Sequence, residues 1–401
     1  MRIVLVNNYA RVTGGADIHC LDLAKGLRER GHEVAFIATA NKRNVDQQGV
    51  FVPTIVTRET RSEMTGARAA QVACRSIWNP STAAATKKLL GSFRADIVHA
   101  HKLYPQLSVA PIVVAASRRI PIVQTVHDYE FISASSIDDT GSWRDQNEDR
   151  VAYRALNTAL FGVKRLLHIP RIDRWISVSR STASAYLEHG INTTVLPNFT
   201  GPLVGALPRF EERKGILFIG RLAEEKGIRH ILDLPIHLPK HPITIAGDGP
   251  LASEVEHAAH MFSNLTYLGK LDSEAVARQI ASARLVVMPS QWREPGPLAA
   301  LEAMAAGTPL IAYDNGGLAE YVLDAGAGVV IAPSTASMAD AISSIYNDRT
   351  CWESFSANAC DAIQRQHTLP RYLDRLEQVY VEAISPKDAS PSHGSLAPSL
   401  P

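Results

Sequence analysis

Short β-branched runs alternate with helix-length segments along most of this 401-residue chain, and the alternation runs twice. The first series places runs at residues 2–7, 33–39, 95–100, 121–126, 175–178 and 193–197, with helical patterns such as 15–31 and 181–189 between them. The second restarts at 215–220 and continues through 242–247, 265–269, 284–288 and 309–313. Apolar runs of this kind are strands covered on both faces, and strands joined through crossover helices pair in parallel. Residues 198–214, between the two series, have no apolar period and mark a domain boundary. A chain this long also exceeds one ordinary core and fits two domains of roughly 150–200 residues each. The sequence thus predicts an α/β protein of two parallel-sheet, Rossmann-like domains, with ligands at the carboxyl ends of the strands.

The richest chemistry lies in residues 291–322, QWREPGPLAALEAMAAGTPLIAYDNGGLAEYV, where Glu294 and Glu302 stand at the two ends of one helical segment. The Pro295-Gly296-Pro297 turn starts that helix, because proline suits the first helical position, where its missing N–H is not needed. Residues 298–306 then extend it with strong helix formers. Free N–H groups at the helix start attract a phosphate, and each carboxylate can accept hydroxyl hydrogen bonds. A phosphate site flanked by hydroxyl acceptors suits a nucleotide sugar.

Arg221 and Lys226 follow the run 215–220, where a cleft ligand would sit. Two cations there neutralise a diphosphate and stabilise it as it gains charge on leaving; the plain alternative is a solvated loop. Gly247-Asp248-Gly249-Pro250-Leu251-Ala252 has the G-x-G-x-x-A form, but no acidic residue ends a second strand about 20 positions on, as a ribose-binding dehydrogenase needs. A plain β-to-α turn also accounts for it. Gly14 and Gly15 open a helix whose N–H groups could meet a diphosphate from the other domain.

These segments together resemble the retaining, nucleotide-sugar-dependent glycosyltransferases of the GT4 family. The resemblance rests on E-x7-E followed by EAMAxGxP and GGxxE, on Gly220-Arg221-Leu222-Ala223-Glu224-Glu225-Lys226-Gly227 as GRLxxEKG, and on Gly14-Gly15-Ala16 as the first glycine loop. The matches keep family order from about residue 1 to 330. The resemblance implies the GT-B architecture, two Rossmann-like domains facing across a cleft. Residues 1–200 would bind the acceptor and 201–370 the nucleotide sugar, and the helical pattern at 371–385 would cross back to the first domain. Residues 386–401, rich in Pro, Ser, Gly and Ala without an apolar face, are expected to be disordered.

The resemblance also implies roles. Glu302 would hold the ribose hydroxyls and Glu294 the donor sugar, with Arg221 and Lys226 on the diphosphate and Gly15, Gly249, Gly296 and Leu298 around the donor. His127 would face the cleft near the sugar as an acceptor-side residue, and His101 and Asp128 would join it in binding the acceptor. His99 and His101, with only Ala100 between them, share one face of their strand. In one place the chain departs from the family. Where the family has E-P-F-G-L, this chain has Glu294-Pro295-Gly296-Pro297-Leu298, so Pro297 removes an N–H worth about 1–3 kcal/mol.

The implied reaction moves a sugar from a nucleoside diphosphate to a hydroxyl acceptor with retention, by front-face attack in which the leaving phosphate takes the acceptor's proton. The acceptor would be a glycan or a lipid-linked polysaccharide intermediate. No Asp-x-Asp pair occurs, so neither a metal nor a cofactor is expected. A nucleotide-sugar epimerase of the same fold and a catalytically silent nucleotide-sugar binder are the alternatives.

Composition narrows the partners. With 41 basic against 40 acidic side chains, the chain has no field to attract nucleic acid. The apolar runs 1–6 and 110–116 are too short for a signal core or a membrane span, so a cytoplasmic protein is expected. Residues 150–175, with six Lys or Arg between leucines, suggest peripheral contact at the inner face of the plasma membrane. Cys20, Cys74, Cys351 and Cys360 have no metal-ligand spacing and are read as reduced, mostly buried thiols. Residues 41–76 and 128–149 read as long loops.

Overall fold

The computed structural model describes residues 1–55, 66–133, 151–201 and 207–385. The first sheet contains β1 (Arg2–Tyr9), β2 (Glu33–Thr39), β3 (Gly49–Val52), β4 (Ile97–Ala100), β5 (Ile122–Val126), β6 (Arg174–Ser177) and β7 (Thr194–Val195). Its order is β3-β2-β1-β4-β5-β6-β7, and every pair is parallel. The second contains β8 (Ile216–Ile219), β9 (Ile243–Ala246), β10 (Leu265–Tyr267), β11 (Leu285–Met288), β12 (Leu310–Tyr313) and β13 (Gly328–Ile331) in the order β10-β9-β8-β11-β12-β13, also parallel. The strand order reverses between β1 and β4 in one sheet and between β8 and β11 in the other. Loops leaving two such neighbouring strands in opposite directions open a crevice, which is where α/β sheets bind ligands.

Each sheet buries both faces, as its unalternated strands require. Along β1, Ile3 and Leu5 join one core cluster, and Val4 and Val6 join the other. Along β8, Ile216 and Phe218 face one cluster and Leu217 the opposite one. The last helix, Leu369–Ile384, packs Tyr372, Leu373, Leu376, Val379 and Tyr380 on Leu23, Leu27 and Phe36 of the first domain. Leu376 is fully buried there, so Leu376→Ala is expected to cost about 2–5 kcal/mol.

Residues 41–76 are not one loop, since they hold β3 and the helix Gly66–Ile77. β3 is a four-residue strand paired only with β2, too short to show a period, whereas the helix Gly66–Ile77 is amphipathic and follows a polar stretch that reads as loop. Of the thiols, only Cys20 is buried; Cys74 is exposed and Cys351 and Cys360 are half-buried, all four free. Residues 56–65, 134–149 and 386–401, parts of the expected loops and tail, lie outside the described residues.

Candidate active site

A cavity of about 610 Å³ opens between the domains, where the loops after β1 and β5 meet those after β8, β9, β10 and β11. On the second-domain wall Glu294 is 3% exposed and forms an ion pair with Lys226. Ser290 Oγ donates to Glu294 Oε1 at 2.8 Å. The backbone N–H groups of Gln291 and Trp292 donate to the Glu225 carbonyl at 2.9 and 3.2 Å, stitching the loop after β11 to the loop after β8. That seam requires Gly227, at φ +69°, because a Cβ would come within 1.9 Å of the Pro289 carbonyl. Arg221, with a side chain 46% exposed, stands 3.5 Å from Glu225 at the cavity wall.

The helix Leu298–Ala305 begins at the cavity with Pro297 as its extended N-cap residue. Its first free N–H groups and the positive end of its dipole therefore face the space that Arg221 and Lys226 border. Glu302, one turn in, lines the same space, and burial pushes its carboxyl up from the ordinary value. Cations, a helix start and two carboxylates can together hold a diphosphate and the hydroxyls on either side of it.

The first-domain wall is neutral. Thr13, Gly14, Gly15 and His127 line it. Behind them His101 and His127 share a 3.0 Å hydrogen bond between Nδ1 and Nε2. His99 is held by Tyr380 at 2.7 Å and Thr125 at 2.8 Å, and His19 by Tyr372 at 3.2 Å. Burial lowers the protonation of His19 and His99 to about 3 and that of His101 and His127 well below the usual value. Asp128 is buried and ion-paired with Lys102. Asp17 accepts from Asn7 at 2.8 Å, and burial raises its carboxyl.

Of the residues singled out in the sequence, Gly15, His127, Arg221, Lys226, Glu294, Gly296, Leu298 and Glu302 all line this cavity. Gly249, His101 and Asp128 do not. A Cβ at Gly249 would lie 2.3 Å from the Leu222 carbonyl, so that glycine lets two loops pack, while Gly247 and Asp248 reach the cavity from the same turn. His101 and Asp128 stand one layer back, spent on His127 and Lys102. Ser290, Trp292, Lys270 and Asn198 line the cavity without having been singled out. Neither Ser290 nor Asn198 carried a signal: Ser290 meets Glu294 through a non-helical loop, and the partners of Asn198 are distant in sequence.

His19, His101 and His127 each offer a nitrogen within 4.8 Å of the others, the one set among the described residues able to hold a metal ion. His101 Nε2 and His19 Nδ1 are buried without a hydrogen-bond partner among the described residues. The basic stretch 150–175 is not one amphipathic helix: it is the helix Val151–Val163, a turn at Lys164–His168, a short 3-10 turn and the start of β6. Lys164 is buried against Glu130 at 2.9 Å, and Arg174 pairs with Glu382. Leu166, 74% exposed, remains at the surface. Among the described residues no helix is long and apolar enough to cross a membrane.

Residues 204–361 match the family of glycosyl transferases group 1, and residues 13–200 match glycosyltransferase family 4. The chain is 30% identical over 180 residues to an alpha-D-kanosaminyltransferase of Streptomyces kanamyceticus, a match spanning 43% of this chain and 46% of that relative. It is 27% identical over 378 residues to a phosphatidyl-myo-inositol mannosyltransferase of Mycolicibacterium smegmatis, spanning 91% of this chain and 90% of the relative. Its fold is similar to that of Anabaena Alr3699/HepE, solved in complex with UDP and glucose, at a TM-score of 0.67 and 18% identity over 95% of this chain and 99% of that one.

Proposed function

From the premise that this chain belongs to the GT4-type glycosyltransferases of GT-B fold, we propose that it transfers a sugar from a nucleoside diphosphate to a hydroxyl acceptor with retention of configuration. One observation carries this reading: Arg221, Lys226, the start of the helix Leu298–Ala305, Glu294 and Glu302 all border one cavity. The cations and the helix start take the diphosphate, and Glu302 takes the ribose. Glu294 grips the sugar hydroxyls.

Lys226 is paired with Glu294. An arriving diphosphate competes for Lys226, which frees a Glu294 oxygen for a hydroxyl. As the sugar–oxygen bond breaks, negative charge grows on the departing diphosphate, and the fixed cations stabilise that state more than the bound substrate. The acceptor hydroxyl attacks from the side the diphosphate leaves and passes its proton to that phosphate. His127, neutral and at the opposite wall, can exchange a hydrogen bond with the sugar or the acceptor without adding charge.

For the acceptor we propose a glycan or a lipid-linked intermediate. The phosphatidyl-myo-inositol mannosyltransferase among the relatives supports the lipid-linked form. Thermal stabilisation by UDP, GDP, ADP and their sugar conjugates tests the donor side, because a ligand bound only by the folded state raises the melting temperature. A shift with one nucleotide, lost in Arg221→Ala and Glu302→Ala, identifies the donor class; no shift with any would favour a silent protein. Slow release of nucleoside diphosphate without acceptor separates a transferase from a pure binder.

A further inference from the structure

Asn198 stands where the chain first crosses between the domains, beside the second crossing. Its backbone carbonyl accepts from His367 Nδ1 at 2.8 Å, and two residues on, Thr200 pairs with Thr368. The His367 carbonyl accepts from the Thr200 N–H at 3.0 Å. Both interdomain strands of chain are thus tied together at this residue. Its side chain reaches elsewhere: Nδ2 donates to the Gly296 carbonyl at 2.7 Å, inside the turn that begins the helix Leu298–Ala305. A carbonyl only accepts, so the amide nitrogen must face it, which leaves Oδ1 pointing away. That Oδ1 is buried with no partner. An unpaired buried carbonyl is unfavourable, and a shorter or apolar side chain would avoid it. What the asparagine supplies in return is the bond to Gly296.

The same turn is seated on the first domain at other points. Thr182 Oγ1 donates to the Pro295 carbonyl at 3.3 Å, and a Cβ on Gly296 would meet Tyr321 Oη at 2.6 Å and Val178 at 3.1 Å. Tyr321, from the second domain, donates to the Val178 carbonyl at 2.7 Å and accepts from the Asn198 N–H at 3.2 Å. Opening the cleft by rotation at the crossings would therefore pull on Gly296 through Asn198. We propose that Asn198 is a positioning residue for the donor: its amide, reaching from the interdomain crossing, holds the Gly296 turn in its phosphate-binding shape, independently of how tightly the interface is seated elsewhere. This rests on the reading that the turn binds the donor diphosphate.

The test uses the full chain. Asn198→Asp keeps the shape but cannot donate to a carbonyl, and Asn198→Ala is the second variant should the aspartate not fold. Glu320→Ala is the control. Glu320 accepts from the backbone N–H groups of Arg180 and Ser181 at 2.9 Å each, capping a first-domain helix from the second domain, so its loss loosens the same interface away from the turn. Calorimetric titration with UDP, GDP and ADP should show an affinity about tenfold weaker in Asn198→Asp and within about twofold of wild type in Glu320→Ala, the size expected for one buried hydrogen bond. Hydrogen exchange of the peptide spanning 293–301, without nucleotide, should quicken in the Asn198 variants and hold steady in the control. Unchanged exchange and affinity in both Asn198 variants would overturn the proposal, as would equal losses in Glu320→Ala. If wild type binds none of the three nucleotides, the donor reading fails. Exchange then decides alone whether Asn198 holds the turn.

Discussion

The two walls of the cleft handle charge in opposite ways. The second-domain wall keeps formal charges at its surface, with Arg221 half exposed and Lys226 held beside Glu294. In the first domain His127 lines the cavity and His19, His99, His101 and His168 are buried behind it, all held neutral by burial. A diphosphate needs fixed cations; sugar and acceptor hydroxyls need uncharged donors and acceptors. On the proposed reading, the division would let one cleft serve both without placing a second charge beside the bond that breaks.

The largest effect that could break this contrast is acid lability. The folded pKa values of His19, His99 and His168 are lowered to about 3, while the unfolded chain binds the proton near 6.5. Stability is therefore fully present above about 6.5 and lost as pH falls toward 3, at about 1.4 kcal/mol per pH unit for each such group. Glu302 and Asp17, raised by burial, oppose this by gaining stability as pH falls through their folded values. Urea unfolding at pH 7.5 and 5.5 should show a loss of several kcal/mol, with His99→Gln removing about one proton from the slope. A flat profile would mean that the first-domain wall is wetter than it looks.

Next in size, Glu294→Ala should lower kcat by about 10²–10³-fold with the fold retained, because it would remove the group proposed to hold the sugar and would strand Lys226. Donor turnover at the wild-type rate would end the catalytic reading of that wall. Glu302→Ala should weaken nucleoside diphosphate binding about tenfold, measured by titration, with a smaller change in kcat. The smallest effect sharpens the comparison: Pro297→Gly returns an N–H to the helix start and should tighten the nucleotide by about threefold at most, since the lost rigidity of proline offsets part of the new bond. A weaker nucleotide would show that proline's preorganisation outweighs the donor.

The second-domain wall was legible in the sequence because its parts are local. Arg221 and Lys226 lie in one loop, and Glu294, Gly296, Leu298 and Glu302 within nine residues, so spacing and helix-start chemistry place them without a fold. The first-domain wall was less so. His127 could be named at a strand end, but His19 had no signal on its helix, and Asp17 none beyond its place in the first turn. β3 was missed because a four-residue edge strand carries no sharp period, whereas the helix Gly66–Ile77 does carry an amphipathic one, which the polar sequence before it obscured.

What the sequence determined by itself was the architecture, two parallel sheets read from a doubled alternation, and the family, read from motifs whose residues are neighbours in the chain. Only the tertiary structure decided which residues share the cavity and in which state of charge. Burial cannot be read from spacing, so the neutrality of the histidines appeared only once Tyr372 and Tyr380 of the last helix closed over them. The bond from Asn198 to Gly296 spans 98 residues of sequence. No local pattern encodes such a contact, because it exists only where two domains meet.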